Sequence, residues 1–114
     1  MDDGEGHLYI GHAGFGMSIL SLANNTVKNY MNSPWKSNSI PGNDVRCIYK
    51  DTHGNIWIGT EKGLSIFDDK KEEFIVPSHL PQELRNSYVF DIYQTDDDKL
   101  WIGTELNGIF IIDL

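Results

Sequence analysis

An all-β fold of small antiparallel sheets stacked face to face is what this sequence predicts, and three observations carry the prediction. A pattern of strand, tight turn and strand recurs three times along the chain. Its apolar runs are too continuous for sheets with one wet face. The prolines, Pro34, Pro41, Pro77 and Pro81, all fall in or at the edge of the stretches between copies, where a missing N–H breaks no ladder.

The two best copies are Val45-Arg-Cys-Ile-Tyr-Lys-Asp51-Thr-His-Gly54-Asn-Ile-Trp57-Ile-Gly59-Thr60-Glu61 and Val89-Phe-Asp-Ile-Tyr-Gln-Thr95-Asp-Asp-Asp98-Lys-Leu-Trp101-Ile-Gly103-Thr104-Glu105, 44 positions apart. A weaker copy, Asp3-Gly-Glu-Gly6-His-Leu-Tyr9-Ile-Gly11-His12, opens the chain at an offset of 48, with Tyr9 where the others carry Trp. Each is followed by a glycine and an apolar run: Gly16-Met-Ser-Ile-Leu20, Gly63-Leu-Ser-Ile-Phe67 and Gly108-Ile-Phe-Ile-Ile112. Self-similarity at a period of this size is the mark of a repeat architecture.

The elements follow in chain order. Tyr9 lies on the first strand, and Ile19 to Val27 reads as strand, turn and strand about Asn24-Asn25. Ile19, Ala23, Val27 and Met31 are spaced at four, as an amphipathic helix would also space them, and so are Leu84, Tyr88 and Ile92. Alignment of the copies assigns both stretches to β. In the middle unit Val45 to Lys50 is a strand, Thr52-His-Gly54-Asn a hairpin turn whose glycine accepts positive φ, and Ile56-Trp-Ile58 the next strand. Leu64 to Phe67 and Glu72 to Val76 complete four antiparallel strands. Leu100-Trp-Ile102 and Ile109 to Ile112 are apolar at successive positions, so both faces need cover. No helices are expected over the sheets, which leaves neighbouring units to supply it. That describes a β-propeller fragment of about two and a half four-stranded antiparallel blades: a partial blade over residues 1–40, a full blade over 41–86 and a partial blade over 87–114.

Composition narrows the function. With 9 Lys+Arg against 17 Asp+Glu the 114 residues carry a formal charge of −8, unsuited to a nucleic-acid backbone. At 39% hydrophobic and 23% charged the chain has the apolar content to fold. No apolar run approaches the ~20 residues of a bilayer span, so no membrane insertion is expected, and the first six residues lack the pattern of a secretory signal. The single cysteine, Cys47, allows no internal disulfide and reads as a small buried hydrophobe on an inner strand.

Trp57 and Trp101 invite a reading as sugar-stacking platforms. Each sits mid-strand among apolar neighbours at the same repeat position, which favours a wedge between adjacent blades, and Gly59 and Gly103 after them permit close backbone approach. Asp96-Asp-Asp98 lacks the spaced oxygen ligands of a calcium loop and reads as a solvated turn. His7, His12, His53 and His79 have no partner at metal-ligand spacing. Asn24-Asn-Thr26 fits a glycosylation sequon, for which its turn role is sufficient reason. Trp35, in the link Ser33-Pro-Trp-Lys-Ser, is an aromatic outside any strand and the best candidate for a surface contact.

Asp51-x-x-Gly54-Asn-Ile-Trp57-Ile-Gly-Thr60-x-x-Gly63-Leu-Ser-x-Phe67, led in by Ile40-Pro-Gly-Asn-Asp-Val45, resembles the two-component regulator propeller repeat. The third copy departs from it at Thr95 and Asp98 and by an extra residue before Gly108; the first departs at Tyr9 and His12 but keeps Gly11. Trp101, Gly103 and Thr104 hold the pattern. The resemblance covers nearly the whole chain. It implies the periplasmic sensor of a hybrid two-component histidine kinase of gut bacteria, a detector of polysaccharide fragments that signals through an immunoglobulin-like domain, a membrane span and a kinase core absent from this sequence. The family's repeat contains no ligand contact, so the resemblance implies no catalytic, cofactor-binding or metal residue and no cofactor. Alternatives are a stand-alone carbohydrate-binding lectin, an interaction scaffold and, least favoured, an enzyme, for which acids scattered in turns offer no convergent pair. An open stack of blades bares apolar faces. Cover is therefore expected from the remaining blades of a parent sensor or from self-association, two chains making a ring of about six blades.

Overall fold

The computed structural model describes residues 1–114 as three antiparallel sheets and one single-turn helix. The first sheet is β1 (His7–Gly11), β2 (Met17–Ser21) and β3 (Thr26–Tyr30). The second is β4 (Val45–Lys50), β5 (Ile56–Thr60), β6 (Gly63–Asp68) and β7 (Glu73–Ile75), and the third is β8 (Val89–Thr95), β9 (Lys99–Thr104) and β10 (Ile109–Asp113). Every sheet is a meander, its strands paired in chain order. By register and sequence, β1, β5 and β9 are one repeat position, as are β4 and β8.

Stacking explains the unbroken apolar runs. On β5, Ile56 and Ile58 join Tyr9 and Met17 in the core between the first and second sheets. Trp57, pointing the other way, joins Leu100 and Ile102 in the core between the second and third. Strand alternation thus feeds two cores at once. The same β-bulge, between Val45 and Cys47 and between Val89 and Asp91, lets neighbouring strand positions serve opposite faces. Val45 packs toward the first sheet, whereas Cys47 packs toward the third.

The stretch from Leu84 to Ile92 differs from expectation. Gln82–Arg85 forms a one-turn helix, α1, between Pro81 and Asn86, and strand begins only at Val89. The repeat alignment that assigned this stretch to β starts at Val89 and has no hold on Leu84. Leu84 is fully buried and, with Leu80, joins the second core, so the link is not free of helix after all. The stretch from Ile19 to Val27 is strand, turn and strand, with Asn25 at φ 55°. Gly54 takes φ 88° in the β4–β5 turn, and Asp98 takes φ 59° at the matching place in the third sheet. Asp is among the few side chains that tolerate that region.

Candidate functional site

The repeat motif builds the seams between sheets. Trp57 is 3% exposed, and its indole Nε1 donates to Asp51 Oδ2 at 2.7 Å. Asp51 also accepts from the backbone N–H groups of His53 (2.8 Å) and Asn55 (2.9 Å) and from Asn55 Nδ2 (3.0 Å). One buried carboxylate therefore closes the hairpin and fixes the ring. Burial alone raises its pKa, but these donors outweigh burial and hold it below the usual carboxylate range. Asp3 repeats the arrangement one sheet earlier, accepting from Glu5 N at 2.7 Å and from His7 through its N (3.1 Å) and Nδ1 (2.9 Å). Its pKa is likewise lowered against the pull of burial. In the third sheet Thr95 Oγ1 receives the Trp101 indole at 3.3 Å.

Glycine and valine interlock across each seam. A Cβ on Gly11 would lie 2.7 Å from Val45 Cγ1; one on Gly59 would lie 2.5 Å from Cys47 Sγ and 2.7 Å from Val89 Cγ1. Gly103, the third member, has only Asp91 of its own sheet nearby, at 3.9 Å. Thr60 and Thr104 both turn their hydroxyls to the carbonyl of the next glycine, Gly63 at 3.3 Å and Gly108 at 2.7 Å. Gly63 (φ 96°) presses on the Arg85 backbone, whereas Gly108 (φ 72°) meets nothing.

The outer face of the third sheet departs from the wedge expectation for this reason. Trp101 is 39% exposed because no sheet lies against it. Ile109 and Ile111 are exposed with it, although their counterparts Leu64 and Ile66 pack into the second core. On the far side of the first sheet Ile10 is exposed where its counterparts Ile58 and Ile102 are fully buried.

Trp35 is 93% exposed in the β3–β4 link and touches neither core. The Tyr88 hydroxyl donates to the Asp44 carboxylate, and the Arg46 guanidinium of β4 lies 4.7 Å from the ring centre of Phe90 on β8. Burial pushes the Cys47 thiol up to about 12, which leaves it unreactive. Asp98 stands 3.6 Å from His53 Nε2 across the seam, and no group of three His, Cys, Asp or Glu is arranged to hold a metal.

Sequence reasoning missed Asp51, Val45 and Val89 as partners of the motif. The recurrence of Asp at offset 48 and of Val at offset 44 was the available signal. It also missed a groove along the outer edge of the first seam, bridged by Tyr30 Oη and Lys28 Nζ, which donate to Glu72 Oε1 at 2.7 and 2.8 Å.

Three stacked meanders locked by a repeating Gly–Val contact define consecutive blades of a β-propeller. The two-component regulator propeller repeat matches residues 39–62 and 83–106, so the chain carries two copies of that repeat. Over all of its length it is 50% identical to part of the extracellular domain of a hybrid two-component system, BT3049, from B. thetaiotaomicron, with a TM-score of 0.79. The match with a second extracellular domain from that organism, BT4673, has the same TM-score at 24% identity over 99% of the chain and shows the fold. Histidine kinase P4 of Formosa agariphila is 31% identical over 80 residues, 65% of this chain. The chain spans 13%, 16% and 6% of those three proteins respectively. No helix of the structure is long and apolar enough to cross a membrane.

Proposed function

We propose that the chain is a non-catalytic section of a periplasmic two-component sensor, and that its sheets are blades of a larger propeller that recognises a carbohydrate. The observation that carries the reading is the seam. The Gly–Val lock occurs at Gly11–Val45 and Gly59–Val89 and is offered a third time at Gly103 beside the bare Trp101, Ile109 and Ile111. A blade bringing its own inner strand would supply the missing partner. A second copy of the chain would present its first sheet, where Met1 to Asp3 bridge β1 at the β4 and β8 position and bring no valine to the Gly103 niche. The seam therefore favours further repeats of a parent protein over self-association.

The test is a chimera in which these residues replace the matching section of the BT3049 extracellular domain. Signalling in response to the parent's inducer is expected to survive. Loss of the response in a protein that still reaches its normal level overturns the reading. Sedimentation of the isolated chain is expected to show a monomer when dilute and weak association through its bare faces only at high micromolar concentration, dispersed by Ile109→Lys with Ile111→Lys. A folded monomer at high micromolar concentration argues against exposed seams of this kind. A stand-alone lectin is the second reading, favoured by the exposure of Trp35. It requires glycan binding by the isolated chain that Trp35→Ala abolishes without altering the melt.

A further inference from the structure

We propose that Asn107, in the turn between β9 and β10, is a site of spontaneous deamidation, and that its conversion unties this turn from the end of α1. In the reaction the backbone nitrogen of the following residue, having lost its proton to base, attacks the asparagine Cγ. The Cγ–Nδ2 bond breaks, ammonia leaves and a five-membered succinimide remains. Water then opens the ring at one of its two carbonyls, giving aspartate or isoaspartate. One water is taken up and one ammonia released, and no oxidant, reductant or cofactor is needed.

The attacking nitrogen must belong to a residue with no side chain in the way, and of the chain's asparagines only Asn107 precedes a glycine. That nitrogen must also be unheld. Thr104 bonds the Gly108 carbonyl through both its N–H and its hydroxyl, but the Gly108 N–H has no acceptor. Space is the third requirement. At the matching turns Gly16 abuts the Tyr30 backbone and Gly63 the Arg85 backbone, whereas a Cβ on Gly108 would meet nothing within 4 Å. Asn107 and Gly108 are both exposed. Phe15 and Lys62 precede the matching glycines, and the turn is one residue longer than that between Thr60 and Gly63, so the site is a departure from the repeat.

Conversion alters one contact in particular. Asn107 Nδ2 donates to Ser87 Oγ at 2.7 Å, and that hydroxyl gives its own proton to the Glu83 carbonyl of α1 at 2.5 Å. A carboxylate at position 107 has no proton for a hydroxyl already committed elsewhere, so lone pairs face each other and the contact is lost. The new charge also joins Glu61 and Glu105 around the small cavity that Ser87 and Tyr88 line with them. Isoaspartate goes further. It routes the main chain through Cβ, between the Asn107 N–H that bonds Thr104 Oγ1 at 3.0 Å and the Gly108 carbonyl that closes the turn.

The experiment incubates the folded chain in mildly alkaline buffer and follows it by peptide mass spectrometry, ammonia release and isoaspartyl methyltransferase labelling. Asn107 is expected to convert about tenfold faster than Asn32, Asn38 or Asn86, which precede serine, and to yield both aspartate and isoaspartate. The rate should rise in proportion to hydroxide, because the attacking nitrogen must first be deprotonated. Asn107→Gln, which would have to close a six-membered ring, is expected to abolish the conversion. Asn107→Asp, made directly, is expected to move the amide signals of residues 83–87 as the aged chain does, with the melt still cooperative. Asn107 surviving in the folded chain while the urea-unfolded chain converts overturns the site, since the turn would then protect it. Aspartate without isoaspartate overturns the succinimide route. Conversion that leaves the amides of residues 83–87 in place overturns the release of α1.

Discussion

Trp57 and Trp101 are the same residue in the same strand of the same repeat, yet one is 3% exposed and the other 39%. Nothing within their own sheets accounts for it. Both are followed by Ile-Gly-Thr, and both indoles donate to the residue six positions earlier. The difference is the neighbour: the third sheet covers Trp57, and no sheet covers Trp101. In a stacked fold a motif residue is a half-contact whose worth the next blade decides. Stability is then close to a sum of blade and seam contributions.

The sharpest way to break the comparison is truncation. Trp57→Ala empties a buried seam and is expected to cost about 3–5 kcal/mol, enough to prevent folding of a marginal 114-residue chain. Trp101→Ala removes a ring already half in water and is expected to cost about 1 kcal/mol. Urea unfolding followed by circular dichroism measures both. Equal losses would mean that the outer face of the third sheet is covered in solution, and rerunning the pair at several protein concentrations would show whether a second chain covers it.

How much of this was legible follows from the same pair. The offset of 44 and the apolar continuity of Leu100-Trp-Ile102 are properties of the string, and they suffice for stacked four-stranded sheets. The helix at Gln82–Arg85 was hidden because a spacing of four around Leu84 satisfies a helix and a strand with turns alike, and the repeat alignment does not reach that far. The exposure of Trp101 was invisible because residue identity does not report the neighbour. The Tyr30–Glu72 and Lys28–Glu72 contacts join positions 42 and 44 apart, and Lys28 and Tyr30 lie outside the motif, where no spacing rule applies. The Asp51 bracket was within reach, since Asp3 repeats it, but Thr95 in the third copy blurs the pattern.

Glycine sharpens the comparison at a smaller scale. Gly59→Ala places a methyl 2.5 Å from Cys47 Sγ and 2.7 Å from Val89 Cγ1, closer than such atoms approach. Short, packed side chains on a bulged strand give way poorly, so the seam should open at a cost of about 1–3 kcal/mol. Gly103→Ala meets only Asp91 at 3.9 Å and is expected to be neutral or slightly stabilising, because alanine reduces the entropy of the unfolded chain. The double variant Gly59→Ala with Val89→Ala should cost less than the sum of the two single losses, because the truncated valine no longer meets the new methyl. A Gly103→Ala penalty matching that of Gly59→Ala would again betray a hidden neighbour.

The smallest effect distinguishes the sheets by acid. Asp51 holds Trp57 as a buried carboxylate with a lowered pKa, whereas Thr95 accepts from Trp101 and donates to Asp97, a carboxylate also lowered but fully exposed and therefore screened by solvent. A carboxylate whose folded pKa is depressed adds stability that is complete above the unfolded value of about 3.9 and is lost as pH falls through the lower folded value. Asp3 with His7 adds to the same slope in the first sheet, its own pKa being lowered as well. Amide hydrogen exchange measured from pH 5 downward, corrected for intrinsic rates, is therefore expected to lose protection first along β1 and β5 and last along β9. Asp51→Asn should flatten the slope at β5 and leave β1 and β9 as they were. Simultaneous loss along all three strands would mean that the sheets unfold as one unit, and that the acid-sensitive bracket does not set the strength of its own seam.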